Sequence, residues 1–382
     1  MWLVKGLLIL WTLLAAAWWS YALRLVLRRP VLPPPGDTAP VPVTVFKPLC
    51  ALRTPVPPPE LVAALESFVA QSDSTTEVLF GVEEPDAVKW QPVFDAWRQR
   101  HATARLTVVS QPRPTTFRNP KCAWWHTLAN RAPGRLWLWS DADMIAPPGL
   151  VTTLRRERTT TGAALVTCPY VVRQVPVPAM WLEALFVNVE FYPGVLACRA
   201  WDRPEFAFGS AMLFAADDFQ QRLRWDELGV CMAEDNWLGR RLTPVHISSV
   251  TLETLAAETR WIDALLHYLR WHKTVRWCRP GGYVAELVIV PGLGWLTAVV
   301  WRPADWGAWL GLGLTVLLEA FVAVRLCARV GCRVRGRDGV VLAGWSLLRA
   351  VTWLLCWLPW PVVFRSQRRI WWSLHRCTEG GT

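Results

Sequence analysis

The sequence predicts an α/β domain with a mainly parallel sheet, placed between an N-terminal transmembrane helix and a C-terminal helical membrane region. Three observations lead to this prediction. An apolar run covers residues 3–27, short β-branched or aromatic segments alternate with helical patterns from 43 to 280, and long apolar stretches return between 281 and 382. Strands that alternate with helices favour βαβ units around a parallel sheet, and apolar runs of about 20 residues favour membrane spans.

The composition supports a membrane protein. The 382 residues are 53% hydrophobic and 19% charged, with 27 tryptophans and a mean hydropathy of +0.21. Lysine and arginine exceed the acidic residues by 41 − 30 = 11. Tryptophan favours the membrane–water boundary, and positive charge suits a lipid bilayer with anionic headgroups. A disordered, nucleic-acid-binding arm is excluded, because such arms contain few apolar residues. The ten cysteines form no CxxC pair, which is typical of reduced thiols in a cytoplasmic protein.

Residues 1–29 are predicted to form the N-terminal anchor. At about 1.5 Å per residue, this run is long enough for a bilayer core of about 30 Å. A cleaved signal peptide is the alternative, but the run is too long for one and ends in Arg28 and Arg29 rather than in a cleavage site. The positive-inside rule then places the rest of the chain in the cytoplasm, as expected for an integral protein of a bacterial inner membrane or its equivalent.

Residues 30–42 contain six prolines and are predicted to form a stiff linker to a domain over 43–280. In the C-terminal region, 281–382, stretches 282–300 and 306–324 are predicted to form a transmembrane helical hairpin. The stretch 340–364 is apolar but carries Arg349. A charge near mid-bilayer is costly, so we expect this stretch to be re-entrant or interfacial, with a fourth span as the competing interpretation.

Within the soluble domain, the pattern predicts strands at 43–46, 78–82, 106–110, 136–139 and 165–168, and helices at 60–70, 122–130 and 150–158. Ligands of such sheets bind at the carboxyl ends of the strands, so the residues that follow each strand are the candidates for a site.

Acidic residues follow two of these strands. Glu83, Glu84 and Asp86 come after the second strand, and Asp141 and Asp143 come after the fourth. Two carboxylates in a DxD pattern can converge on Mg²⁺ or Mn²⁺, which prefer oxygen ligands, with phosphate completing the coordination. A bare DxD is nevertheless more often a solvated turn, because Asp is common in turns.

Three further segments carry weaker signals. Glu234 and Asp235 begin a predicted helix, where acidic residues also serve simply to complement the positive helix end. Residues 264–277 carry a basic and aromatic stripe that favours a membrane-surface element. The segment 179–199 is either a helix that admits a lipid or an ordinary core helix.

The order of these pieces is more specific than any one of them. From the N-terminus they are Lys47-Pro48-Leu49, Asn119-Pro120-Lys121, Asp141-Ala142-Asp143, Glu234-Asp235 and His267-Tyr268-Leu269-Arg270-Trp271. Over almost its whole length the chain resembles the ceramide glucosyltransferases of glycosyltransferase family 21 and their bacterial relatives, including hopanoid-modifying enzymes, within the GT-A superfamily. The resemblance implies a Rossmann-like GT-A domain.

The resemblance also implies a reaction. We expect a metal-dependent, inverting transfer of one sugar, glucose as the first expectation, from a UDP-sugar donor to the hydroxyl of a membrane lipid acceptor such as ceramide. Hopanoid and diacylglycerol remain alternative acceptors, and UDP-galactose and UDP-N-acetylglucosamine remain alternative donors.

The roles of single residues follow from the same resemblance. It makes Asp141 and Asp143 the ligands of Mg²⁺ or Mn²⁺, and Asp235 the catalytic base. The donor-binding residues would be Glu83, Glu84, Asp86, Asn119, Lys121, Asp141, His267, Arg270 and Trp271. His267 stands where the family has Gln or Arg, and a rival register of this last motif is Lys273-Thr274-Val275-Arg276-Trp277.

Two rival functions belong to other classes. A processive polysaccharide synthase needs a translocation channel, for which three spans and one doubtful segment are few. A non-catalytic lipid-binding protein has no use for carboxylates at three separate strand or helix ends.

Overall fold

The computed structural model describes residues 2–28, 41–49, 51–52, 54–201, 204–364 and 369–379. Arg29 and most of the predicted proline linker lie outside the described residues. The chain forms two compact units. The helical unit contains Met1–Arg29, Val171–Ala197 and Ala256–Thr382, and the sheet unit contains Pro30–Tyr170 and Cys198–Leu255. Residues 171–197 and 256–280, which fall within the predicted domain 43–280, thus belong to the helical unit.

The α-helices in chain order are α1 Trp2–Leu27, α2 Pro59–Val69, α3 Glu84–Arg100, α4 Pro120–Ala129, α5 Leu150–Thr161, α6 Trp181–Leu185, α7 Tyr192–Trp201, α8 Ala216–Arg222, α9 Trp225–Gly229, α10 Glu234–Arg241, α11 Trp261–Cys278, α12 Pro280–Ala285, α13 Pro291–Trp301, α14 Trp306–Arg329 and α15 Gly339–Leu355. The strands are β1 Val43–Pro48, β2 Thr76–Glu83, β3 Arg105–Gln111, β4 Leu136–Trp139, β5 Met144–Ile145, β6 Leu165–Thr167, β7 Tyr170–Val171, β8 Met212–Ala215, β9 Val245–Ile247, β10 Leu252–Thr254, β11 Val362–Phe364, β12 Arg369–Trp371 and β13 Cys377–Glu379.

The sheet unit is built on a seven-stranded sheet of order β3-β2-β1-β4-β8-β6-β9. All neighbouring strands in it are parallel except β8, which runs antiparallel to β4 and β6. The five predicted strands and three predicted helices of this unit are confirmed. Strand β8 is only four residues long and β9 only three, and neither was predicted. Because β1 and β4 are parallel neighbours, the residues that follow them meet at one edge of the sheet.

Both faces of this sheet are buried, which explains the continuous apolar strands. Val45 and Leu138 belong to the core on one face, and Phe46 and Trp139 belong to the core on the other. This alternation is the two-residue period of a strand. On the second face Trp125 of α4 stacks on Trp139, with ring centroids 4.2 Å apart. The end of β4 is therefore held firmly where the DxD begins.

Among the described residues of the helical unit, three helices are long and apolar enough to cross a membrane, namely α1, α14 and the segment Gly336–Leu355 that includes α15. The stretch 282–300, predicted as one span, falls on two segments, Pro280–Ile289 and Pro291–Trp301, which are bent by 66° and are together apolar enough for a broken span or a re-entrant loop. Pro291 is the first residue of α13 and cannot continue the preceding helix. The α15 helix is unbroken, and the re-entrant or interfacial position of 340–364 stays a prediction.

The arginine inside α15 is paired. The Arg349 guanidinium donates to Glu319 of α14 and to the backbone oxygen of Ile289, at the bend before α13. Arg349 and Glu319 side chains are 2% and 1% exposed. A buried charge needs such a partner, because an unpaired charge in an apolar environment is strongly destabilising.

The segment predicted as one helix over 179–199 is three consecutive pieces, with a π-helix over Phe186–Phe191 between α6 and α7. Side chains from Trp181 to Val189 are buried. This burial favours the core-helix interpretation over a lipid-admitting surface.

Candidate active site

The DxD pattern lies at the carboxyl end of β4, where the sheet edge also contains the end of β1. The Lys47 ammonium group, at the end of β1, donates to Ser140 Oγ at 2.9 Å and to the Asp141 backbone oxygen at 2.6 Å. The Asp141 backbone N–H donates to the Gly209 oxygen at 2.9 Å. The backbone around Asp141 is thus fixed from two sides.

The Asn119-Pro120-Lys121 segment begins α4, and its residue types suit the start of a helix. Asn119 is the N-cap, and its Oδ1 accepts from the Lys121 backbone N–H at 3.0 Å. Pro120 occupies the first helical position, which suits proline because no backbone N–H is needed there. The Asn119 side-chain amide donates to Cys231 O and to Glu234 Oε2, at 3.0 and 2.9 Å. The cap therefore also ties α4 to the segment that leads into α10.

Lys121 brings the second and third acidic sites together. Its ammonium forms ion pairs with Asp141 Oδ1 and, at 2.8 Å, with Glu234 Oε1. Both oxygens of Glu234 thus have partners, one from Lys121 and one from Asn119. The residues 119, 121, 141, 143, 234 and 235, which the sequence analysis selected from three distant segments, converge around this lysine.

Asp235 has a different environment from its neighbour. Its Oδ2 accepts from the Gly209 backbone N–H at 3.1 Å, and its Oδ1 accepts from the N–H of Asn236 at 2.7 Å. Both contacts are neutral backbone donors. Gly209 therefore contacts both acidic motifs: its backbone N–H donates to the Asp235 carboxylate, and its backbone oxygen accepts from the Asp141 N–H.

Burial or neighbouring charges raise the pKa values of three groups in the cluster. Burial, reinforced by Glu234, raises the pKa of Asp235 to about 7. Burial and the adjacent Asp141 raise the pKa of Asp143 to about 6. Burial alone would lower the pKa of Lys121, but Asp141 and Glu234 outweigh it and hold that pKa well above its ordinary value. Asp143 and Asp235 therefore keep their protons to a higher pH than ordinary aspartates, while Lys121 stays charged.

The cluster fits a divalent cation only in part. Among the described residues, no three His, Cys, Asp or Glu side chains are arranged to hold a metal. Asp141 and Asp143 offer two carboxylates, and Mg²⁺ is commonly bound by one or two carboxylates together with substrate phosphates. These oxygen donors suit a metal that arrives with a diphosphate.

The first acidic site lies where β2 ends and α3 begins, with Glu84 and Asp86 in the first turn of that helix. Asp86 is buried, and its two oxygens accept from Leu52 N at 2.7 Å and Lys89 Nζ at 2.8 Å. Glu83 lies 3.7 Å from Arg113. Asp86 thus fixes the chain after β1, and the structure does not bring these three residues to Lys121.

The last motif lies on α11 of the helical unit. His267 and Arg270 are partly buried, and Trp271 stacks on Phe186 with centroids 4.7 Å apart. Burial lowers the pKa of His267 to about 4 and that of Arg270 to about 10. Arg270 lies over the Phe364 ring at 4.5 Å.

The rival register is less suited to a ligand. Its Lys273 side chain is buried and donates to the backbone oxygens of Cys356 and Leu358. Arg276 also donates to Cys356 O, at 2.6 Å. These contacts occupy the cations of the rival register, which favours the earlier one.

Sequence reasoning gave no role to Lys47 or Gly209. A lysine that ends an apolar strand was a usable signal, because lysine is rarely fully buried without a purpose. A Cβ at Gly209 would lie 2.7 Å from Asp141 Oδ2 and 2.8 Å from Lys121 Nζ. Nothing in the sequence indicates that close approach, which depends on the loop before the unpredicted β8.

The mainly parallel sheet, with a carboxylate and lysine cluster at its carboxyl edge, places the chain in the predicted α/β class. The chain belongs to glycosyl transferase family 21, whose profile matches residues 7–373. It is therefore a glycosyltransferase, and the predicted family and fold class are confirmed.

Solved structures with some similarity include two glycosyltransferases. One is a mannosyltransferase from Pyrobaculum calidifontis in complex with GDP-Man and Mn²⁺, with 16% identity, 92% of this chain and 93% of that chain covered, and a TM-score of 0.45. Another is glucosyl-3-phosphoglycerate synthase from Mycobacterium tuberculosis with Mn²⁺, UDP-glucose and phosphoglyceric acid, with 17% identity, 62% and 79% covered, and a TM-score of 0.35. No curated protein matches this chain. The family assignment rests on the family match alone.

Proposed function

We propose that this glycosyltransferase moves one sugar, glucose as first choice, from a UDP-sugar to the hydroxyl of a membrane lipid such as ceramide, with inversion. The observation that carries the proposal is the convergence of Asp141, Glu234 and Asp235 around Lys121. Lys121 pairs with one carboxylate from each of two separate motifs. A phosphate oxygen can replace either carboxylate as its partner, so a metal-bound diphosphate can bind between them.

In this proposal Asp141 and Asp143 hold Mg²⁺ or Mn²⁺ together with the donor diphosphate. When bound, the metal stabilises the negative charge that grows on the leaving diphosphate. Lys121 would turn from Asp141 toward the same phosphates and add a second positive charge there. Asn119 keeps Lys121 in place through the helix cap.

Asp235 is the proposed base, and Glu234 is not. Both carboxylate oxygens of Glu234 accept from Lys121 and Asn119, so neither oxygen is available to take a proton from the acceptor. Asp235 has only neutral backbone donors and a pKa raised to about 7, near the pH at which a general base works best. It would take the proton of the acceptor hydroxyl as that oxygen attacks, and a single displacement inverts the anomeric carbon.

The remaining donor-binding roles rest on the resemblance. His267, Arg270 and Trp271 are proposed to complete the donor site, with Arg270 supplying charge for phosphate. Of the first acidic site, Glu83 and Glu84 remain the candidates for nucleotide contact, because the Asp86 oxygens are already used within the fold.

The lipid acceptor and the orientation are proposals too. Helices long and apolar enough to span a bilayer give the enzyme direct access to membrane lipids. Arg28 follows α1, and Arg325, Arg329, Arg333 and Arg335 lie at or beyond the end of α14. The positive-inside rule would place the C-terminal ends of α1 and α14 in the cytoplasm, together with the sheet unit and its UDP-sugar.

The test is a transfer assay on membranes that contain the full chain. Membranes are incubated with labelled UDP-glucose, UDP-galactose or UDP-N-acetylglucosamine, and labelled lipids are identified by mass spectrometry. We expect one labelled lipid carrying a single sugar, whose nature decides between ceramide, hopanoid and diacylglycerol. A long polymer would show a processive synthase, and the absence of any labelled lipid would refute the lipid acceptor.

A further inference from the structure

Lys47 is more deeply buried than Lys121, the other lysine beside Asp141. It is 0% exposed, and its ammonium lies 3.3 Å from the centroid of the Phe68 ring. A side chain without access to solvent does not reach a substrate. Any effect of Lys47 on the reaction must therefore pass through the groups that it contacts.

Those groups belong to the DxD loop. The ammonium of Lys47 donates to Ser140 Oγ at 2.9 Å and to Asp141 O at 2.6 Å. Ser140 Oγ in turn donates to Ser210 O at 2.6 Å, and Ser210 Oγ donates to Cys168 O at 2.6 Å. This chain of hydrogen bonds connects the ends of β1, β4 and β6 with the loop before β8, so a displacement of Lys47 would release the loop on which Asp141 lies.

The charge of Lys47 has a second effect. Asp141 and Asp143 lie two residues apart, and like charges held together repel each other. Burial lowers the pKa of Lys47 while Asp143 and Asp141 favour its charged form, and an ammonium group beneath the loop offsets the repulsion between the two carboxylates before any ligand arrives. The carboxylates then need no rearrangement when the metal and diphosphate bind, which is the benefit of a preorganised site.

We propose that Lys47 is a positioning residue that holds loop 140–143 in the geometry in which Asp141 and Asp143 receive a metal-bound diphosphate. This inference rests on the proposed function. It predicts that loss of Lys47 weakens metal binding, although removal of a nearby positive charge would, by electrostatics alone, strengthen it. The direction of the change separates positioning from simple repulsion.

The experiment measures Mn²⁺ binding by electron paramagnetic resonance on the purified full chain in detergent, with UDP present, so that no sugar transfer is needed. Lys47→Met keeps the apolar stem on Phe68 and removes the ammonium. We expect the Mn²⁺ concentration for half occupancy to rise about tenfold or more, the scale of a lost hydrogen bond to a charged group. In kinetics, saturating Mn²⁺ should restore most of kcat.

A second variant guards against a failure to fold. Ser140→Ala removes one acceptor of Lys47 but leaves the buried charge in place, and should raise the half-occupancy concentration about two- to tenfold. The matched control is Ser72→Ala, whose Oγ donates to Thr76 O at 2.7 Å near the opposite, amino end of β2. Lys273→Met controls for the loss of a buried lysine in the helical unit. Neither control should change Mn²⁺ binding.

The outcomes are distinct. If wild type binds Mn²⁺ and both variants bind it equally well or more tightly, the positioning role is refuted while the proposed function stands. If the wild type binds no Mn²⁺ with UDP, the metal-dependent function itself fails. A weaker Mn²⁺ affinity in either folded variant, with unchanged controls, supports the role of Lys47.

Discussion

Asp235→Asn tests the assignment of the base. Loss of a general base costs about 10²- to 10⁴-fold in rate, which corresponds to about 2.7–5.4 kcal/mol of transition-state stabilisation. The structure adds a second, separable cost. Asp235 accepts from two backbone N–H groups, those of Gly209 and Asn236. An amide has one acceptor oxygen, so one of these donors loses its partner, at about 1–3 kcal/mol of stability.

The two costs appear in different measurements. Initial rates with labelled UDP-sugar and lipid in detergent give kcat and the donor KM, and thermal unfolding gives Tm. We expect kcat to fall at least about 100-fold, the donor KM to stay nearly unchanged, and Tm to fall by a few degrees. Asp217→Asn, an exposed aspartate in α8, is the matched control and should behave as wild type.

Glu234→Gln should behave differently, because it removes a charge that Lys121 and Asn119 hold. We expect lower stability and a higher donor KM, with a smaller effect on kcat. A folded Asp235→Asn enzyme with wild-type kcat would refute the assignment. Glu234 would then be the first alternative.

Three further predictions concern the metal, the close-packed loop and the buried pair. Asp143→Ala should abolish transfer, and chelation of divalent cations should do the same to wild type, because hard cations need carboxylate oxygens. Gly209→Ala should lower kcat about tenfold or more, since a Cβ there meets Asp141 Oδ2 at 2.7 Å and overpacking costs about 1–3 kcal/mol. Glu319→Gln should destabilise the protein by about 3–5 kcal/mol by leaving Arg349 unpaired, and Arg349→Met should restore part of that loss in denaturation experiments.

Each of these predictions has its own control or contrary result. Full activity in excess chelator would remove the metal from the mechanism. Gly313→Ala, where a Cβ meets nothing within 4 Å, should leave the rate unchanged, and a Gly209→Ala enzyme as fast as this control would contradict the role of the loop. If the Glu319 and Arg349 substitutions have additive effects, the two residues do not act as a pair.

The sheet was predictable because its signals are local. Strands such as Leu136–Trp139 are buried on both faces, and their uninterrupted apolar residues predict a strand without knowledge of its neighbours in the sheet. The strands β8 and β9 were not predicted, although they are no shorter than β4 and β6. They form by pairing with those two strands, β8 with both and β9 with β6.

The sequence offered the candidate residues of the site but not the contacts between them. Lys121 and Asp141 are 20 positions apart in the sequence and Glu234 a further 93 positions on, and only the fold brings them within ion-pair distance. The contacts of Asp86 were not predictable for the same reason, because its partner Leu52 lies on another segment. Pro291 itself indicates a bend in the chain, but the apolar composition around it favoured an unbroken span.

The pairing of Arg349 with Glu319 bears on how the chain enters a membrane during synthesis. An arginine at the centre of an isolated apolar helix costs about 2.5–3.5 kcal/mol at the insertion machinery. Glu319 precedes Arg349 by 30 residues and leaves the ribosome first. Helix α14 would therefore be made before α15 and would offer Glu319 as the partner of Arg349, whether α15 crosses the bilayer or is re-entrant.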